Sequence, residues 1–335
     1  MKFLFLGLGS IGSRHLRNLC ALGYRDFFAY RTQASRNAAE TECGVRRVVS
    51  YEAGLALHPD AVFVTNPTAL HVRTAMAALS AGCHVFIEKP VAASREGVGE
   101  LVRRAAETGR VVAVGYQMRF HPILVEIKRI VASGELGRPL FAHLEIAQHL
   151  ADWHPGEDPR SGYAARRDLG GGAILTLSHE LDSALWLLGP ARAVTCRGGT
   201  TSNLVVDVED TETMFVEFAA GAVATIHIDY LQRPPSRSLK IVCERGKIEW
   251  DYFSDRAVVW RESGSEHPIP LPSGFERNSL YRDEVEHFIR AIRGEEQNRI
   301  PLASAIAALD LSLAALASLA GGSSVPLITP ESSKP

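Results

Sequence analysis

From residue 2 to about residue 115, short runs of continuous apolar residues alternate with stretches whose apolar positions recur at helical spacing. The runs at 2–6, 26–30, 46–49, 61–65, 83–87 and 110–114 read as strands, and the stretches at 10–22, 33–43, 69–81 and 94–108 as helices. Strands that are apolar throughout need cover on both faces, and their alternation with helices of this length gives βαβ units around a parallel sheet. The first part of the chain is therefore expected to be an α/β, Rossmann-like domain.

After Gly115 the pattern changes. A helix at 122–133 ends near Gly134, a strand follows at 141–149, and a polar stretch rich in Trp, Arg and Pro occupies 152–169. Gly170, Gly171 and Gly172 open a helix that runs through Leu188 and is stopped by Gly189-Pro190. Residues 193–260 alternate in strand fashion, with Ala222, Ala224, Ile226, Ile228 and Tyr230 on one side and Val223, Thr225, His227 and Asp229 on the other. Strands without helices between them predict an α+β domain with a largely antiparallel open sheet. Two helices, 279–293 and 301–319, finish the chain. The expected division is a dinucleotide-binding domain at 1–118, a substrate-binding and oligomerisation domain at 119–320, and a poorly ordered tail at 321–335. The last helix is the one segment of the second part with the option of packing back on the first.

A chain of 335 residues exceeds the size at which one core stops growing, which agrees with two domains. Its 36 Lys and Arg against 38 Asp and Glu leave a net charge of −2, so no electrostatic reason favours nucleic acid or an anionic membrane as partner. The five cysteines are scattered and never spaced as CxxC, which supports neither a disulfide framework nor a zinc site, and no histidine stands at a recognised metal-ligand spacing. Gly7, Gly9, Arg14 and His15 interrupt the apolar start before a signal-peptide core is complete, and no apolar run approaches the ~20 residues that span a bilayer. The expectation is a soluble, cytoplasmic protein.

Gly7-x-Gly9-x-x-Gly12 follows an apolar strand and opens a helix, the context in which this spacing signals a dinucleotide. Gly7 permits the tight turn, Gly9 lets backbone approach the pyrophosphate, and Gly12 allows close helix–sheet packing. The amides of Ser10 and Ile11 then stand at the helix N-terminus, where free N–H groups favour phosphate. The second strand closes on Ala29-Tyr30-Arg31-Thr32 with Ser35 and Arg36 behind it, and carries no carboxylate for a ribose 2′-hydroxyl. A guanidinium there suits a 2′-phosphate, so the reading favours NADP(H), with NAD(H) as the alternative and no metal.

Three further strand ends carry polar residues: Thr65-Asn66-Pro67, Glu88-Lys89-Pro90 and Gly115-Tyr116-Gln117. In an open α/β sheet ligands sit outside the carboxyl ends of the strands, which turns Lys89 from an ordinary solvated lysine into a group facing the cofactor crevice. The ordered series of these motifs with Gly7–Gly12, with Met118-Arg119-Phe120-His121-Pro122, and with Gly170-Gly171-Gly172 followed by His179 and Asp182 resembles the Gfo/Idh/MocA (glucose-fructose oxidoreductase / inositol dehydrogenase) family over residues 1 to about 320.

The resemblance implies reversible hydride transfer between a nicotinamide and a carbinol carbon of a sugar, sugar derivative or cyclitol. Lys89 would hydrogen-bond the reacting oxygen and His179 would act as general acid/base, with Asp182 orienting that imidazole or holding a substrate hydroxyl. Thr65, Asn66, Pro67, His71, Glu88 and Gln117 would join the glycine loop and Arg31 around the cofactor. Arg119, Trp153, Arg160, Tyr163 and Thr176 would face the substrate. On the residues alone, His179 and Asp182 also fit a structural pair on an amphipathic helix, and His15 reads as a packing residue. Thr176 stands where many members carry Asp, and His179 follows it by three positions where those members have four. The spelling Ser178-His179-Glu180-Leu181-Asp182, with Asp152-Trp153-His154-Pro155 and Arg160-Ser161-Gly162-Tyr163, resembles a branch associated with nonulosonic-acid and surface-polysaccharide genes. Two other functions known on this fold stay open: an NAD-dependent glycosidase working by transient oxidation and elimination, and a ligand-sensing regulator. Helices on one face of the second sheet leave the other face for a partner subunit, so a homo-oligomer, dimer or tetramer, is expected.

Overall fold

The computed structural model describes residues 1–32, 35–153, 156 and 158–327. In chain order the first elements are β1 (Lys2–Leu6), α1 (Ser10–Ala21), β2 (Asp26–Tyr30), α2 (Ala38–Glu42), β3 (Arg46–Arg47), α3 (Tyr51–Leu55), β4 (Ala61–Val64), α4 (His71–Ser80), β5 (His84–Ile87), α5 (Val98–Thr108) and β6 (Val112–Val114). There follow α6 (Pro122–Ser133), β7 (Pro139–Ala147), α7 (Ala173–Thr176), α8 (His179–Leu188), β8 (Ala191–Gly199), β9 (Thr211–Phe218), β10 (Val223–Asp229) and β11 (Ser236–Cys243). The chain ends with β12 (Gly246–Asp251), β13 (Arg256–Arg261), β14 (Glu266–Pro268), α9 (Arg277–Ile292), α10 (Leu302–Gly321) and β15 (Val325–Pro326). The described residues divide between two compact units, 1–120 with 275–306 and 121–274 with those from 307 to 327, the boundary falling within α10.

The first unit holds a six-stranded sheet in the order β3-β2-β1-β4-β5-β6, parallel at every pairing. That is the doubly wound order, with its switch point between β1 and β4. One face of the sheet is aromatic. Phe5 stacks on Phe63 at 4.9 Å and Phe63 on Phe86 at 5.0 Å, and Phe288 of α9 meets both Phe63 and Phe86 edge-on. Tyr281, Val285 and Phe288 recur at helical spacing and are buried, so α9 covers the central strands. This corrects the expected division, which gave residues 279–293 to the second domain. An amphipathic stripe states that a helix covers something and leaves open which sheet.

The second unit is built on a nine-stranded sheet, β14-β13-β12-β11-β7-β10-β9-β8-β15, antiparallel except where β7 and β10 run parallel. Ala222, Ala224, Ile226, Ile228 and Tyr230 are buried, as their alternation predicts; Asp229, assigned to the opposite side, is buried too. The helix expected from 173 to 188 is two pieces, α7 and α8, broken at Leu177-Ser178, so His179 begins a helix. The tail is not wholly irregular, because Val325 and Pro326 pair with Val194 and Ala193 of β8; its residues 328–335 lie outside the described ones. The α10 helix also corrects the expectation about apolar runs. At 20 residues it is long and apolar enough to cross a bilayer by length and composition, and half of it is buried inside the fold.

Candidate functional site

Each glycine of the first loop has a separate geometric reason. Gly7 holds φ +103°, and a Cβ there would stand 2.7 Å from the Thr65 carbonyl oxygen. At Gly12 a Cβ would stand 2.6 Å from the Gly7 carbonyl oxygen, while at Gly9 it would meet nothing within 4 Å. Gly9 therefore marks open space over backbone, which is what a pyrophosphate needs. Helix α1 begins there with no side-chain cap and no acidic residue in its first turn, leaving its amides to an anion. The Thr65 hydroxyl donates to the Gly7 carbonyl at 2.6 Å, and the Asn37 side-chain amide donates from Nδ2 to the Leu8 carbonyl at 2.9 Å, so the loop is fixed from the end of β4 and the start of α2. Gly12→Ala is expected to weaken cofactor binding about tenfold, because overpacking of ~1–3 kcal/mol moves the loop. Titration of the variant with reduced cofactor measures it, and an unchanged Kd refutes it.

At the end of β2, Arg31 donates from Nη1 to Glu40 Oε2 at 2.7 Å, and Arg47 donates from Nε to Glu40 Oε1 at 2.7 Å. Glu40 is fully buried. Burial raises its pKa, but the hydrogen bonds from Arg47, the Asn37 amide and Arg31 outweigh that and bring it down to about 2. Two guanidinium groups on one carboxylate leave a positive charge of one.

Across the ends of β4, β5 and β6 the side chains interlock. Glu88 is buried, its Oε1 lies 2.6 Å from His15 Nε2, and its Oε2 accepts from the Lys89 amide at 3.2 Å. Gly115 makes room for it, since a Cβ there would stand 3.1 Å from Glu88 Oε1. Glu284 of α9 is buried with no hydrogen bond to either oxygen, and burial followed by the charge of Glu88 holds its pKa well above the carboxylate range. His71, expected at the cofactor, is 1% exposed, and its two ring nitrogens each lie 2.9 Å from a backbone carbonyl oxygen, those of Pro90 and Asn66. Gln117 donates to the Tyr281 hydroxyl at 3.1 Å, and Arg119 to the Arg299 carbonyl at 3.4 Å. Lys89 is partly buried and its peptide bond to Pro90 is cis.

In the second unit the triple glycine is explained by internal packing. A Cβ on Gly171 would lie 2.3 Å from the Tyr163 carbonyl oxygen, and one on Gly172 would lie 2.2 Å from Glu209 Oε1. Thr176 is buried within hydrogen-bonding reach of Tyr230, whose hydroxyl donates to the Ala164 carbonyl at 3.3 Å. Trp153 sets its ring edge-on to Tyr230 at 5.4 Å, and Trp153 and Tyr163 border a cavity of about 40 Å³ with Leu150, Ala151, Pro159 and Gly162. His179 and Asp182 are 8% and 1% exposed on the first turn of α8. Glu180 anchors that turn through a buried ion pair with Arg237 at 2.7 Å. Arg160 instead lies on the surface, paired with Asp158 at 2.6 Å. His154 and Pro155 lie outside the described residues.

Glu212 is buried, and its pKa is pushed up to about 9 by burial and by Glu209, Asp210 and Asp229, against a smaller lowering by the Thr211 backbone. A carboxyl that holds its proton to about 9 when folded, against an ordinary 4.5, costs stability as pH rises between those values. Melting temperature should therefore fall across that window, and Glu212→Gln should remove this part of the fall. Parallel profiles for the two proteins would refute the assignment.

Sequence reasoning assigned no functional role to His15, Glu40, Glu284, Tyr281, Tyr230 or the Glu180–Arg237 pair. The only local signal was the three-residue step from Gly12 to His15, one helical turn along α1. Among the described residues no group of three or more His, Cys, Asp or Glu is arranged to hold a metal ion.

Comparison with known proteins gives the chain its relatives. Residues 1–116 match the profile described as an oxidoreductase family with an NAD-binding Rossmann fold, and residues 124–249 match the GFO/IDH/MocA C-terminal domain. The chain belongs to the Gfo/Idh/MocA family. It is similar to 1,5-anhydro-D-fructose reductase of Ensifer adhaerens, 28% identical over 79% of this chain and 80% of that protein. It is similar to UDP-N-acetylglucosamine 3-dehydrogenase of Acidithiobacillus ferrooxidans, 29% identical over 87% of this chain and 88% of that protein. Among solved structures, the WlbA dehydrogenase of Bordetella pertussis, in complex with NADH and UDP-GlcNAcA, aligns with TM-score 0.84 and 25% identity over 98% of this chain and 99% of that one. As a Gfo/Idh/MocA protein the chain is an NAD(P)-dependent oxidoreductase, and its first unit is the dinucleotide-binding one.

Proposed function

We propose that this enzyme interconverts a hydroxyl and a carbonyl on a sugar, sugar derivative or cyclitol, with Lys89 donating a hydrogen bond to the reacting oxygen and His179 taking or giving its proton. The observation that carries the reading is the placement of Lys89. It lies two residues past the end of β5, at the carboxyl edge of the 3-2-1-4-5-6 sheet, partly buried, in the same unit as the open Gly9 backbone. The bound nicotinamide supplies or accepts the hydride. Lys89 offsets charge that grows on the oxygen in the transition state, where a desolvated ammonium is worth more than in water. His179 provides an imidazole, which changes protonation near neutral pH, on a helix turn fixed by Glu180 and Arg237. Asp182, three residues along α8, orients the imidazole or holds a substrate hydroxyl. Trp153, Tyr163 and Thr176 belong to the substrate side, and Arg160, drawn to Asp158, is the weakest member of that set.

The cofactor residues are Gly7, Gly9, Ser10, Ile11, Gly12, Thr65, Asn66 and Pro67, with Arg31 at the adenosine end and NADP(H) preferred. The net charge of Arg31, Arg47 and Glu40 supports that preference. Arg31→Gln is expected to weaken NADPH binding roughly 10–100-fold and leave NADH nearly unchanged, as for a lost charge-assisted hydrogen bond of ~1.5–3 kcal/mol. Wild-type protein that binds NADH tenfold more tightly than NADPH removes the preference.

Activity is tested by the change in nicotinamide absorbance with UDP-N-acetylglucosamine, free hexoses and inositol, with each cofactor. Sugar nucleotides lead the panel because, of the relatives aligned over most of the chain, one is named for UDP-N-acetylglucosamine and the WlbA dehydrogenase was solved with UDP-GlcNAcA. Cofactor binding without turnover on any polyol, sugar or sugar nucleotide would refute the reading. A homo-oligomer in the cytoplasm completes it, and light scattering of the purified protein reads the subunit number.

A further inference from the structure

Lys89 lies between two residues that are each held by a buried histidine, Glu88 through its side chain and Pro90 through its backbone carbonyl. On its N-terminal side the Glu88 carboxylate meets His15 Nε2 at 2.6 Å, and His15 is fully buried against Phe86 and Phe63, with ring centroids 4.9 and 5.8 Å away. On its C-terminal side the Pro90 carbonyl oxygen lies 2.9 Å from His71 Nδ1, and the other nitrogen of that ring lies 2.9 Å from the Asn66 carbonyl oxygen. The neutral His71 ring donates to one of these carbonyls and the imidazolium to both. Neither histidine is exposed enough to serve as a ligand for a small molecule.

We propose that His15 and His71 are positioning residues for Lys89: His15 fixes Glu88, His71 fixes Pro90, and the backbone between them is left one orientation from which to aim the ammonium. Proline has no N–H of its own, so its carbonyl is the polar backbone handle on that side. The Glu88 carboxylate also accepts from the Lys89 amide at 3.2 Å, which carries the His15 contact into the Lys89 backbone. The apolar walls matter as well. A hydrogen bond inside an aromatic core is not exchanged for one to water, so losing it leaves Glu88 without its buried donor.

The inference rests on the reading of Lys89 as donor to the reacting oxygen, and the test separates the two. The side-chain amide of Gln reaches about as far as Nε2 of a histidine and that of Asn about as far as Nδ1. Since His15 works through Nε2 and His71 reaches Pro90 through Nδ1, the two sites should answer to opposite substitutions. His15→Asn and His71→Gln are expected to lower kcat roughly 10–100-fold, the scale of a misplacement of about 1 Å. His15→Gln and His71→Asn should recover at least tenfold of that loss, with KM and NADPH affinity within about threefold throughout. Combined with Lys89→Ala, His15→Asn and His71→Gln should cost less than about twofold more, because they act through the missing group. A purely structural role predicts no crossed pattern, and melting temperatures report folding separately. Equal effects of Asn and Gln at either site, or undiminished losses in the Lys89→Ala background, would overturn the proposal. If Lys89→Ala alone turns over like wild type, the reading of Lys89 fails and takes this inference with it.

Discussion

Lys89→Ala is expected to lower kcat by about 10²–10³-fold while leaving NADPH affinity within about threefold of wild type. The size is that of removing one donor from a developing oxyanion, and the selectivity follows from position. Lys89 follows Ile87, the last residue of β5, and Glu88, both buried, so trimming its side chain removes a charge without moving the loop that holds the phosphates. Lys89→Arg should not restore the rate, because a planar guanidinium is longer and aims its donors differently from an ammonium. Steady-state rates at saturating substrate, with Kd from cofactor titration, decide the matter. A variant within twofold of wild-type kcat would mean the ammonium does not touch the reacting oxygen.

His179→Gln should cost about 10²–10⁴-fold in kcat/KM, the usual range for losing a general acid/base, and should remove one limb of its pH dependence. Glutamine keeps a donor of similar reach but cannot exchange a proton near neutrality, which separates proton transfer from substrate holding. The fold should tolerate the change, since the Glu180–Arg237 ion pair also holds the first turn of α8. With His179→Ala, added imidazole should recover part of the rate. A pH profile of the same shape in wild type and His179→Gln would assign the proton to another group.

The sequence was most legible where one local cause decides the outcome. Gly7, Gly9 and Gly12 have the local geometry their spacing suggests because a positive φ, an open approach and a close contact are properties of three neighbouring residues. Apolar runs such as Phe3-Leu4-Phe5-Leu6 announce a doubly covered sheet for the same reason. Long-range partners left little trace. Glu40 meets Arg31 at a separation of 9 residues and Glu88 meets His15 at a separation of 73, and no spacing rule ties either carboxylate to its donor. Gly172 illustrates the difference within one motif. The run of glycines was visible, but its cause, the Glu209 carboxylate standing 2.2 Å from where a Cβ would be, comes from a segment 37 positions later. His71 was visible through its motif and reads differently in the structure, because burial against two carbonyls cannot be inferred from a helix position.

The cover that α9 gives to Phe63 and Phe86 has a consequence for synthesis. The cofactor-binding core is finished by residues 275–306, which leave the ribosome only after the whole of 121–274 has been made. A nascent chain that stops at residue 120 has all six strands but an uncovered aromatic face, the kind of surface that recruits chaperones or aggregates. The unit that comes first in the message is thus completed late, and a gene fragment encoding only its contiguous part should yield insoluble protein.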